Sequence, residues 1–220
     1  MYYIRNLFNT LLDLVFPSPV SLINLENMSQ EELKEAVSRP RAIHEDLQII
    51  PLFDYQNAIM KTMIWQIKYR NNKKIAKIFA QALYEELMSE LEEFIQLENL
   101  TNPIIIPIPL SKKRFHMRGY NQCELVLSEF KKIDSQNIFE YKKDILIKIF
   151  DTPTQTSTKS RDERLKNLAH CFAVRDPSLI QNRFVILLDD VTTTGTTLSH
   201  ARRVLLSSDA RKVICIALAH

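Results

Sequence analysis

Glycine is nearly absent from this chain of 220 residues; Gly119 and Gly195 are the two it has. A chain this poor in glycine keeps it where the backbone needs a positive φ or must come close to a ligand. Cysteine is scarce too: Cys123, Cys171 and Cys215 are odd in number and far apart. With no C-x-x-C pair, a disulfide framework and a cysteine zinc site are both argued against, and each cysteine reads as a reduced thiol. No apolar run approaches the ~20 residues that a membrane span needs. The apolar opening from Tyr2 to Val15 does not read as a secretion signal. Asp13 interrupts it, only Arg5 precedes that break, and no small-residue cleavage site follows before Pro17. Leu7, Leu11, Leu12 and Val15 instead fall at helical spacing, so a short amphipathic helix ending at Phe16-Pro17 is expected, in a cytoplasmic protein.

What is present is ordinary for a folded domain. Hydrophobic residues make up 45% and charged residues 25%, enough for one α/β domain with a small appendage and nothing that favours disorder. The net charge of +3 permits an anionic partner without arguing for one.

The pattern changes along the chain. Residues 1–48 hold the first helix, a Pro/Ser/Asn-rich connection and a charged helical piece opening at Ser29, which with Glu32 fits a capping box. Residues 49–100 begin with the apolar stretch Ile49-Ile50-Pro51-Leu52-Phe53. Two helical patterns follow, one carrying Ile59, Met63, Ile64 and Ile67, the other running from Lys73 to about Leu97. From residue 101 short apolar runs alternate with polar loops and helices: Ile104 to Ile106, Ile145 to Ile147, Phe184 to Leu188 and Val213 to Leu218. Continuous β-branched runs suit strands buried on both faces, so a parallel sheet flanked by helices is expected, with all four runs as its strands.

Residues 184–206 read FVILLDDVTTTGTTLSHARRVLL. An apolar strand ends in the adjacent carboxylates Asp189 and Asp190. A loop of Thr193, Thr194, Gly195, Thr196 and Thr197 follows, and a helix begins near Leu198. The carboxyl end of a strand in an open parallel sheet is where such folds bind ligands. Hydroxyls and backbone N–H groups at a helix N-terminus form a phosphate cradle, and Gly195 lets the backbone come close. The P-loop pattern G-x-x-x-x-G-K-[ST] is missing. The two carboxylates would repel a phosphate, so sugar hydroxyls or the water shell of a metal are their natural partners.

This segment resembles the phosphoribosyl pyrophosphate (PRPP) signature of type I phosphoribosyltransferases. The resemblance implies that Asp189 and Asp190 take the ribose 2′- and 3′-hydroxyls and that Thr193 to Thr197 take the 5′-phosphate. Thr192 departs from the family, which has an aliphatic residue there.

A second segment, residues 103–122, reads PIIIPIPLSKKRFHMRGYNQ. Lys112, Lys113, Arg114 and Arg118 follow a strand end with no acidic residue before Glu124. Cations so placed can neutralise pyrophosphate, arginine with a planar fork; alone, such a run reads more readily as a solvated loop. The arrangement Pro107-x-Pro109-Leu110, a basic stretch and Arg118-Gly119-Tyr120-Asn121-Gln122 is similar to the signature of the ComF family. Ser111 stands where that family often has His. Leu52-Phe53-Asp54-Tyr55 and Lys68-Tyr69 resemble the start of the ComF core. Thr154-Gln155 with Arg161, Arg164, Asn167 and Phe172 resembles its flexible hood loop. Leu11 to Pro17 is also ComF-like, but no cysteine precedes Cys123, so the zinc ribbon that many of these proteins carry at residues 18–48 is absent.

The resemblance implies a type I phosphoribosyltransferase (Rossmann-like) domain over 49–220, an N-terminal helical segment over 1–48 and a flexible hood loop. It implies Mg²⁺ held mainly by PRPP and water, pyrophosphate contacts from Pro109, Leu110, Lys112, Arg114 and Arg118, and hood closure by Arg161 or Arg164. The reaction would displace pyrophosphate from C1 of PRPP, largely by positioning groups and stabilising departing charge. No histidine or glutamate stands out as a base; His116 and His170 are isolated. The ComF resemblance also implies a link to DNA uptake, with single-stranded DNA and competence proteins as partners. The sequence supports that only through Tyr69 beside Arg70, Lys73, Lys74 and Lys77. A non-catalytic PRPP-responsive DNA-handling protein and a nucleobase-salvage enzyme are the competing readings.

Overall fold

A computed structural model of the chain describes residues 22–38, 49–98, 102–149 and 171–220. The expected helix over residues 7–15 and the basic hood segment with Arg161, Arg164 and Asn167 lie outside them, as does His170.

Five parallel strands form the central sheet in the order β1-β7-β6-β2-β3: β1 (Ile49–Phe53), β2 (Ile104–Pro107), β3 (Glu140–Tyr141), β6 (Phe184–Val191) and β7 (Lys212–Ala219). The continuous apolar runs form strands because helices cover both faces of the sheet. Ile105, Ile186, Leu188, Ile214 and Ile216 face one layer, and Ile104, Ile106, Val185, Leu187, Val213 and Cys215 face the other. Pro51, which cannot donate to a ladder, sits in the edge strand β1.

The first layer holds α1 (Leu22–Glu26), α2 (Gln30–Ala36), α3 (Ala58–Tyr69), α4 (Lys73–Glu98) and, after the short α5 (Lys112–Arg118), α6 (Gln122–Ile133). Ser29 closes the expected capping box with Glu32. Packing holds α1 and α2 in place: Leu25, Leu33 and Val37 join the core under α4, and Gln30 donates to the Ile78 carbonyl. The opposite face is covered by α7 (Thr196–Ser207), whose Leu198, Ala201 and Leu205 are buried against the sheet.

One expectation fails. The run Ile145 to Ile147 is not a strand of the parallel sheet. Its residues enter β4 (Leu146–Lys148), which pairs antiparallel with β5 (Phe172–Val174) in a separate two-stranded ribbon. The third strand beside β2 is instead the two-residue β3, which pairs with Ile104 and Ile105. Apolar residues in β4 are needed because the ribbon lies over the α7 side of the core, where Ile145, Leu146 and Phe172 are buried.

Candidate functional site

The chain leaves β2 and β6 in opposite directions. From β2 it passes through α6 to β3, and from β6 through α7 to β7 on the other face. The crevice of such a sheet opens where neighbouring strands diverge in this way. In register Pro107 lies opposite Leu188, and the Ile108 N–H donates to the Leu188 carbonyl at 2.8 Å. The basic segment and the Asp/Thr segment, 81 residues apart at the paired positions 107 and 188, therefore start side by side.

Alternation along β6 sends its two carboxylates to different faces. Asp190 follows Ile186 and Leu188 towards the α3 layer, and Asp189 follows Val185 and Leu187 towards α7. Both are buried. Lys68, from the last turn of α3, places its ammonium 3.0 Å from Asp190 Oδ2. Asp190 Oδ1 accepts from the Val191 N–H at 2.7 Å, and Asp189 Oδ1 accepts from the Asp190 N–H at 2.8 Å. Burial and the charge of Asp190 push Asp189 from 3.8 up to about 7, against the pull of its backbone hydrogen bond and of Lys68. The Cys123 thiol, at the start of α6, lies in the fields of both carboxylates, Lys68 and Arg118; burial above all drives it well above the usual thiol range. Burial also pushes Cys215 up to about 12. Neither thiol has the character of a nucleophile.

The loop after β6 makes few internal bonds. Gly195 adopts φ 67°, and no side chain caps α7. Thr193 and Thr194 are exposed, with the Thr194 and Thr196 hydroxyls 2.7 Å apart. Thr192, the departure from an aliphatic residue, has a local role, since its buried hydroxyl accepts the Gly195 N–H at 3.2 Å. His220 Nε2 lies 2.9 Å from the Thr193 carbonyl and can donate to it, so the end of β7 steadies this loop.

The second motif is spent differently. Ser111 caps α5 by accepting from the Arg114 N–H, and Gly119 ends that helix at φ 80°. The Tyr120 hydroxyl donates to the Ile67 carbonyl and accepts from the Asn71 N–H, both at 2.8 Å, clamping the α3–α4 turn. Asn121 caps α6 and donates to the Ile108 carbonyl at 2.9 Å. Gln122 accepts from Arg118 at 2.8 Å, and the Arg118 guanidinium stacks over Tyr69 at 5.2 Å. Arg118 is thus held inward beside Lys68, while Lys112, Lys113 and Arg114 stand exposed on α5 with Phe115 (50% exposed) and Met117 (56%). Pro109 and Leu110 line the turn between β2 and α5, half-buried. In the other basic cluster Lys74 pairs with Glu26 at 3.0 Å and Arg70 lies over Trp65 at 5.0 Å.

Sequence reasoning placed Lys68 within a family motif without giving it a role, because a lone lysine at a helix end has no pattern of its own. His220 gave no signal at all. A partly open pocket of about 310 Å³ lies at the other end of β2, beside Asn102, walled by Leu127, Phe130, Phe139 and Tyr141. It holds one cation, Lys131, and does not suit a polyanion. Two carboxylates, one already paired to lysine, make a poor cage for a metal but fit one carried mainly by substrate oxygens and water. Among the described residues, no helix is long and apolar enough to cross a membrane.

No family model matches the chain. The DNA utilization protein YhgH of Salmonella typhimurium is 27% identical over 172 residues, 76% of this chain and 69% of that protein. Competence protein F of Haemophilus influenzae is 30% identical over 152 residues, 66% and 61% of the two chains. Competence protein ComFC of Bacillus subtilis is 27% identical over 150 residues, 68% and 55%. Among solved structures, the hypoxanthine phosphoribosyl transferase of Trypanosoma cruzi superposes with a TM-score of 0.35 at 9% identity, over 72% of this chain and 64% of that one. The hypoxanthine-guanine phosphoribosyl transferase of L. donovani gives 0.33 at 17% identity, over 70% and 66%.

Proposed function

We propose, from the premise that this chain is a homologue of the ComF-type competence proteins, that it binds PRPP with magnesium where β2 and β6 diverge and displaces pyrophosphate from it. The observation that carries this reading is the convergence of the two motifs on neighbouring strand ends. The acidic pair is followed by an exposed threonine loop and lies on the strand next to the one that leads into the run of cations. Asp189 and Asp190 accept the ribose hydroxyls, and the hydroxyls and N–H groups of Thr193 to Thr197 hold the 5′-phosphate. Lys112 and Arg114, with Arg118 behind them and Pro109-Leu110 shaping the turn, receive the pyrophosphate; Arg164 closes from the hood. Magnesium, when bound, offsets pyrophosphate charge. As the C1–oxygen bond breaks, its electron pair leaves with pyrophosphate and the acceptor nucleophile bonds to C1. These residues work by holding the ribose still and meeting the departing charge. Residues 49–220 form the ligand-binding unit and 1–48 an N-terminal helical segment, in a cytoplasmic protein.

Calorimetric titration of PRPP, with and without Mg²⁺, into the wild type and Asp190→Asn tests this. Magnesium-dependent binding that collapses in the variant supports the reading, and no binding to the wild type overturns it.

A second reading has its own observation. Exposed Phe115 and Met117 among Lys112, Lys113 and Arg114 form a small platform for single-stranded DNA, with an aromatic face for bases and cations for phosphates. It accords with the names of the relatives and with competence proteins as partners. Oligonucleotide binding that weakens with salt and with Phe115→Ala supports it. Turnover with a panel of free bases would favour nucleobase salvage instead.

A further inference from the structure

The acidic pair has a counter-ion that neither motif contains. Lys68 reaches it from α3, an element placed before both motif segments in sequence, with its ammonium 3.0 Å from Asp190 Oδ2. The lysine side chain is 17% exposed and that of Asp190 9%, so the pair is largely out of water, where an unmatched charge is costly. Its surroundings fix the lysine from several sides. The backbone one residue earlier is clamped, since the Ile67 carbonyl accepts from the Tyr120 hydroxyl. The ring one residue later carries Arg118, itself tied to Gln122. The charged and titratable groups around the carboxylates are Lys68 from α3, Cys123 from α6 and Cys215 from β7, with Arg118 from α5 acting on Cys123. Of these, Lys68 forms the ion pair with Asp190, at 3.0 Å.

We propose that Lys68 is a positioning residue that pairs with Asp190 and holds its carboxylate aimed while the site is empty, and so sets the affinity of the carboxylate pair for ribose hydroxyls. The proposal rests on the PRPP reading for its ligand, but the ion pair itself is testable without one. Lys68 acts through Asp190 and needs no contact with substrate. Without it, two adjacent buried carboxylates on opposite faces of β6 are left with no ammonium, and protonation, which burial and the charge of Asp190 already favour at Asp189, is the simplest relief. A carboxyl that has taken up a proton directs it at the hydroxyl it should accept from.

The ligand-free arm is a double-mutant cycle in thermal unfolding. Lys68→Met should lower Tm by about 5 °C, because it strands a buried carboxylate. Adding Asp190→Asn to that variant should restore at least half of the loss. If the two substitutions instead destabilise additively, the counter-ion role is overturned whatever the protein binds. The ligand arm measures Kd for Mg-PRPP at pH 6, 7 and 8.5. Lys68→Met should weaken binding about tenfold at pH 7, with much of the loss recovered at pH 8.5 as the carboxylates ionise, and Lys68→Arg should stay within about threefold of the wild type. A loss equal at every pH, or wild-type affinity in Lys68→Met, overturns the proposal. If the wild type binds no PRPP while the cycle shows coupling, it is the PRPP reading that fails and the ion pair stands.

Discussion

The two motif segments leave neighbouring strands and treat their polar groups in opposite ways. After β2, Ser111, Tyr120, Asn121 and Gln122 are all taken by internal partners, and Gly119 serves only to end a helix. After β6, Thr193 and Thr194 are exposed and α7 begins without a side-chain cap; Thr192 caps the loop inward, and the Thr194 and Thr196 hydroxyls pair with each other at the surface. The first segment is mostly scaffold with cations hung on it. The second is mostly unspent capacity. Counting internal partners thus separates residues that build a site from those that serve a ligand, where a motif names both alike.

The strongest challenge to this contrast is Asp190→Asn. It should cost about 100-fold in Mg-PRPP affinity, since it removes a hydroxyl acceptor from a water-poor site, while leaving the far-ultraviolet circular dichroism unchanged. Next comes Asn121→Ala, which loses a helix cap and strands the buried Ile108 carbonyl. Urea denaturation should show a stability loss of about 2–3 kcal/mol, with a smaller change in Kd than Asp190→Asn gives. A variant of full stability would deny that this motif is scaffold.

The carboxylate pair adds a pH signature. Asp189 titrates near 3.8 when unfolded and near 7 when folded. Between those values the native state holds the extra proton, so this group makes stability fall as pH rises from about 4 to about 7 and then level off. Asp189→Asn should flatten that part of the curve and raise Tm at pH 8 by a few degrees. The smallest effect belongs to Thr193→Val. Stability should stay within about 0.5 kcal/mol, because the side chain is exposed, while PRPP affinity falls by about three- to tenfold. Equal stability losses in Thr193→Val and Asn121→Ala would erase the contrast.

The sequence showed most of the sheet where residues are buried on both faces. The runs in β2, β6 and β7 are continuous because helices cover both sides. It misled at Ile145 to Ile147, because a short apolar run looks the same in a ribbon packed on the core as in a parallel strand. It was silent at β3, where two residues, Glu140 and Tyr141, make no apolar run and their place is set by pairing with Ile104 and Ile105. For the site, the acidic pair and the threonine loop could be read because their spacing is local. The union of Lys68 with Asp190, the grip of His220 on Thr193 and the inward turn of Arg118 are contacts between distant residues, which no window along the chain contains.

The pairing of β1 with β7 has a consequence in time. Ile49 sits opposite Cys215, so an early strand has no partner until the ribosome has made almost the last part of the described chain. Contacts of such long range are closed late and slowly. Until then, the apolar face of α4 that rests on β1 must shelter against α3. The acidic pair on β6 meets its lysine only when that helix layer finally settles on the sheet. The proposed PRPP site is therefore among the last features of the molecule to exist, and a ribosome-bound chain stalled before β7 should carry both motifs and bind no PRPP.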